Sequence, residues 1–109
     1  MAFDQETADR VREILLEHGD VDERKMFGGL AFMVKGYMAC GVIDDELVAR
    51  LGPEAAADAL AREHVRPMDF TGRPMKGYVF VGPSEVRTEA KLRKWVKATV
   101  EFVNTLPPR

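Results

Sequence analysis

Residues 22–51, DERKMFGGLAFMVKGYMACGVIDDELVARL, decide the fold. Apolar and polar side chains recur there with a period near two, the pattern of strands that bury one face. Three glycine- or aspartate-bearing links divide the stretch into four runs, 23–27, 30–34, 37–43 and 46–51. The links are Gly28-Gly29, Lys35-Gly36 and Asp44-Asp45. Two-residue links between apolar-rich runs signal hairpins, although Lys is a weaker first residue than Asn. Connections this short forbid parallel pairing. The stretch predicts an antiparallel meander of four strands.

Helical periodicity flanks the meander. Residues 4–18 read as a helix capped by Asp4, with Ala8, Val11, Ile14, Leu15 and His18 on one stripe and Gly19 as the stop. His18 reads as a partly buried side chain at the helix end rather than as a ligand or base. Gly52-Pro53 opens a second helix that extends to about His64, with Ala55, Ala56, Ala59 and Leu60 as its apolar face. Residues 65–77 hold Pro67, Gly72, Pro74 and Gly77 and read as a loop or extended crossing segment. Residues 78–81 form a fifth strand. Thr88 caps a last helix that runs to about Thr105. Its stripe is Leu92, Trp95, Val96, Thr99, Phe102, Val103 and Leu106, with Arg93, Lys94 and Lys97 roughly opposite. The order α-β-β-β-β-α-β-α predicts one α+β domain over residues 1–109. Its architecture is two-layer, an antiparallel sheet of about five strands packed with helices.

Composition narrows the class. With 109 residues, 46% hydrophobic and 31% charged, the chain suits a single soluble globular domain. The one cysteine excludes an intrachain disulfide framework. Apolar runs are far shorter than the ~18 residues of a membrane helix, so no membrane partner is expected. Met1-Ala2-Phe3-Asp4-Gln5-Glu6 lacks the basic and apolar regions of a secretion signal, which makes the cytoplasm the expected compartment. The net charge of −2 conceals a split: residues 1–63 carry −7 and residues 64–109 carry +5. Such a split marks an anionic partner, or lets one copy dock on another as a homodimer, or reflects solvated helix faces of different sign.

Few residues offer chemistry. Cys40 lies mid-strand between Ala39 and Gly41, without the cationic or helix-terminal setting that favours a thiolate, and reads as a small buried hydrophobe. One Cys and two His with no short ligand spacing do not make a metal site. Gly28-Gly29 lacks the further residues of a nucleotide loop and leads into a strand, so a turn or bulge explains it better. The acids at 44–46 read as a solvated turn, and the methionines at 26, 33, 38, 68 and 75 as core filler, with an adaptable binding surface as the alternative. Residues 66–78, RPMDFTGRPMKGY, carry Arg66, Arg73 and Lys76 in a proline-stiffened setting able to present cations to an anion, or to pair with Asp69. The exposed face of the last helix adds Arg93, Lys94 and Lys97.

Residues 24–33, RKMFGGLAFM, and 66–79, RPMDFTGRPMKGYV, resemble the N-terminal domain of the TfoX/Sxy family of natural-competence regulators. Cys40-Gly41-Val42 followed by Asp44-Asp45-Glu46-Leu47, and the ending from Trp95 to Leu106-Pro107-Pro108, fit the same pattern. The likeness spans about Arg10 to Pro108. It implies helices on an antiparallel sheet, similar to the secretion-chaperone-like arrangement. It also implies a transcriptional coactivator role alongside the cyclic-AMP receptor protein, with no enzyme activity and no cofactor. Competence-type members carry a second, C-terminal domain, and the expectation here is a stand-alone N-terminal domain.

The expected function is therefore regulation by binding a macromolecular partner, a protein, through Arg66, Arg73, Lys76, Arg93, Lys94 and Lys97. No catalytic, metal or cofactor-binding residue is expected. Two alternatives stand beside it: direct nucleic-acid binding through the basic last helix, and a small enzyme or ligand-binding domain using Cys40 with Arg73 and Lys76.

Overall fold

Alternation carries through the meander into a single sheet. The computed structural model describes residues 3–26, 28–68 and 76–107. They form α1 (Gln5–Leu16), β1 (Asp22–Met26), β2 (Gly29–Val34), β3 (Tyr37–Ile43), β4 (Glu46–Arg50), α2 (Pro53–Ala59), β5 (Val65–Pro67), β6 (Tyr78–Val81), a 3-10 turn (Pro83–Glu85) and α3 (Glu89–Val103). The strands lie in the order β1-β2-β3-β4-β6-β5, with every neighbouring pair antiparallel. The fold is α+β, as expected.

The turns explain the register. Lys35 and Gly36 both have positive φ, 55° and 84°, the signature of a type I′ hairpin turn. Gly29 is required by proximity rather than by its dihedrals: a Cβ there would stand 2.3 Å from the Val42 carbonyl oxygen on the facing strand. Ala39 forms an extra residue between the pairs Phe32↔Cys40 and Met33↔Met38. That bulge turns both Ala39 and Cys40 into the main core.

Helices cover one face of the sheet. Leu30, Phe32, Val42, Leu47, Val79 and Val81 face Val11, Ile14 and Leu15 of α1 and Leu92, Val96 and Val103 of α3. Intervening strand positions supply a second cluster on the reverse face, made of Ala31, Met38, Val48, Met68 and Phe80, with Met26 and Met33 packed against it. Four of the methionines thus fill apolar space behind the sheet; Met75 lies outside the described residues. Asp4 and Thr88 cap α1 and α3, accepting from the backbone N–H groups of Thr7 at 2.9 Å and Lys91 at 3.2 Å.

Three expectations need correction. The sheet has six strands rather than about five, because Val65–Pro67, read as part of a loop, pairs with β6 and buries Val65 in the core. A three-residue edge strand ending in Pro67 shows no alternation to detect, and its edge position tolerates the missing N–H. The second helix stops at Ala59, well short of His64. Residues 60–62 instead close tighter turns, with Ala61 N–H donating to Asp58 and Arg62 N–H to Ala59, and His64 adopts φ 67°. Finally, His18 is exposed, because α1 ends at Leu16 and the chain turns away before the stripe reaches it.

Candidate partner-binding seam

Small side chains on α2 create a concavity beside α3. Ala55 and Ala59 leave space beside Trp95 and Ala98 of α3, and Leu51 forms the floor of a hollow of about 260 Å³. A second hollow of about 380 Å³ adjoins it, sharing Leu51 and Ala55 and bounded by Gly52, Pro53, Glu54 and Phe102. Together they make an open, largely apolar seam between two helices. Asp58 and Arg62 line it from α2 and the turn that follows, and Lys94 from α3. Such a shape accepts apolar side chains of a polypeptide and offers rim charges of both signs.

The five expected site residues that the structure describes do not gather on one surface. Arg66 projects from β5 onto the reverse face of the sheet, where its guanidinium lies 4.2 Å from the Phe80 ring centre and 2.5 Å from a Glu46 oxygen. Arg93 is on α3, on the opposite side of the sheet, paired with Glu17 and with Glu89 at 3.6 Å. The hydrogen bond from Arg93 holds the Glu17 carboxyl below the usual carboxylate range. Lys94 and Lys97 are exposed on α3 and make no ion pair with a described residue. Lys76 is exposed in the turn leading into β6, and Arg73 lies outside the described residues. The charge split along the chain is partly closed within the fold, since Glu17 and Glu46 of the acidic part meet Arg93 and Arg66 of the basic part.

Cys40 is fully buried in β3. Burial pushes its thiol up to about 12, only partly offset by a hydrogen bond with the Thr99 side chain on α3. A thiol held protonated beneath a helix is a poor nucleophile, so the reading of Cys40 as a small core residue stands. Arg73, its supposed anion-holding partner, falls outside the described residues, and Lys76 is exposed.

The family model of the TfoX N-terminal domain matches residues 13–103, from within α1 to the last residue of α3. The chain belongs to the TfoX N-terminal domain family. No curated protein and no solved structure gave a match. Among the described residues of this TfoX domain, no helix is long and apolar enough to cross a membrane.

Two arginines of the TfoX domain escaped the sequence reading. Arg62 sits over the Trp95 ring at 5.4 Å and pairs at 2.9 Å with Glu85, a buried carboxylate that Lys91 also approaches at 3.8 Å. Arg62 thereby anchors one end of the seam. Arg50, the last residue of β4, is half-buried among the rings of Tyr37, Tyr78 and Phe102, at 5.5, 5.3 and 5.7 Å from their centres. The rings come from β3, β6 and α3. Positions this distant in sequence carry no local signal; only the antiparallel register, which sets Arg50 opposite Tyr78, brings them together.

Proposed function

We propose that this TfoX-family domain is a non-enzymatic, cytoplasmic regulator that acts by seating an apolar segment of a protein partner in the seam between α2 and α3. Its context is transcriptional or competence regulation, as family membership suggests. The observation that carries the reading is the seam itself, an open apolar hollow walled by Ala55, Ala59, Trp95 and Ala98, with Lys94 at its rim. The buried, protonated thiol of Cys40 supports a non-catalytic role. Direct nucleic-acid binding draws less support, because Arg66 and Arg93 are engaged with acids on opposite sides of the sheet.

The test compares wild-type domain with Ala98→Glu as baits in the cell's own extract, with transcript profiling of a strain carrying each. A partner held by wild type and lost by Ala98→Glu, with matching transcript changes, is the expected outcome. Equal capture by both baits, or no partner and no transcript change on deletion, refutes the proposal.

A further inference from the structure

The fold repeats one device. Arg12, Arg62 and Arg66 each lay the guanidinium near an aromatic ring, 5.9 Å from Phe32, 5.4 Å from Trp95 and 4.2 Å from Phe80. Each also meets a carboxylate: Asp9 and Glu23 for Arg12, Glu85 for Arg62, Glu46 for Arg66. Ring and acid divide the guanidinium between them, the ring attracting the cation through its π-face and the carboxylate accepting from its N–H groups. Arg50 has three rings and, among the described residues, no carboxylate and no hydrogen-bond acceptor. Among the described residues it is the ring-bound arginine without an acid.

We propose that Arg50 is a receptor for a carboxylate carried by an acidic segment of a partner polypeptide. The site is built in advance. Tyr37 is fixed by donating its hydroxyl to the Pro107 carbonyl at 2.5 Å. Phe102 rests against Gly52, where a Cβ would stand 2.5 Å from the ring. Tyr78 is set by its pairing with Arg50. Three rings within 5.7 Å and partial burial displace some of the water around the guanidinium without neutralising it, so an incoming carboxylate meets a stronger field than at an open lysine. Charges of both signs stand nearby: Lys35 lies in the turn that precedes Tyr37, Lys76 precedes Gly77, whose carbonyl accepts from Leu51 and Gly52 at 2.8 and 3.2 Å, and Glu54 lines the hollow that Phe102 bounds. Phe102 also bounds one hollow of the seam, so the receptor lies at the seam's end. The proposal extends the seam reading by naming the partner's charged group, yet it stands on Arg50's own surroundings.

A hexaglutamate peptide is the probe, with hexaglutamine and inorganic phosphate as controls, followed by the Nε–H resonance of Arg50 in the nitrogen-labelled protein. Expected is a saturable shift at Arg50 with hexaglutamate, little response to hexaglutamine, and weaker binding of phosphate. Arg50→Lys keeps the charge but loses the planar fork, and should weaken hexaglutamate binding by about tenfold or more. Equal binding by Arg50→Lys, its amide spectrum showing an intact fold, refutes the proposal. So does an Arg50 resonance in the wild-type protein that fails to respond, which decides the matter even if the variant does not fold. Tighter binding of phosphate than of hexaglutamate overturns the carboxylate assignment. Failure here with the seam partner still captured removes the Arg50 receptor alone.

Discussion

Adjacent glycines in the fold-deciding stretch should respond very differently to the same added methyl group. Gly28 has φ 75° with open space around it, whereas Gly29 has ordinary dihedrals but faces the Val42 carbonyl. Alanine at position 28 takes on left-handed strain of about 1–2 kcal/mol. A less flexible unfolded chain returns about 0.4–1 kcal/mol, for a net loss near ~1 kcal/mol. Alanine at 29 places Cβ 2.3 Å from Val42 O and 2.8 Å from Ile43 Cγ1. Relief requires roughly 1 Å of backbone movement between β2 and β3, where Leu30 pairs with Val42. Overpacking of about 1–3 kcal/mol, together with weakened ladder hydrogen bonds near ~1 kcal/mol each, gives a loss of about 3 kcal/mol. Urea unfolding followed by far-ultraviolet dichroism reads both variants, and at a slope of about 2 kcal/mol/M the Gly29→Ala midpoint falls by about 1.5 M. A Gly28→Ala loss as large as that of Gly29→Ala, with unchanged slopes, would refute the close-approach account.

Three further outcomes are expected. Lys35→Asn should raise stability by about 0.5 kcal/mol, because asparagine accepts the φ of 55° at lower cost than lysine; an unchanged or lower urea midpoint contradicts the I′-turn assignment. Cys40 should resist a thiol reagent at pH 8 in the folded protein and react fully in denaturant. Its raised value has a sign: the unfolded thiol ionises near 9.0 and the folded one near 12, so the associated stability is complete below pH 9 and lost as pH rises toward 12. The urea midpoint of wild type should therefore fall between pH 8 and 10.5 more than that of Cys40→Ala, and parallel declines would contradict the burial.

Legibility in the sequence followed the range of the interactions. Alternation placed β3 and β6 at Tyr37–Ile43 and Tyr78–Val81, and the caps Asp4 and Thr88 located the starts of α1 and α3. Those are local signals. β5 escaped because three residues cannot display a period and its evidence is the pairing of Val65 with Val81. The end of α2 escaped because alanines extend a helical pattern that the turn at residues 60–62 interrupts. Among the site residues, exposure of Lys94 and Lys97 followed from helical phase, whereas the capture of Arg66 by Glu46 and of Arg93 by Glu17 depends on tertiary proximity. The seam was half visible, as the alanine face of α2 and the Trp95 stripe of α3; their juxtaposition was not. Arg50 drew no notice, since its three rings lie on three other elements.

If the TfoX domain works through the α2–α3 seam, its partner touches Ala98. A photo-crosslinking amino acid placed at Ala98, within the seam, and separately at Asp20, exposed beyond α1, tests it in living cells most directly. One recurring protein adduct is expected from position 98, abolished by Ala55→Glu, and none of that mass from position 20. The same adduct from both positions, or none from position 98 in a strain whose transcripts respond to the domain, would contradict it.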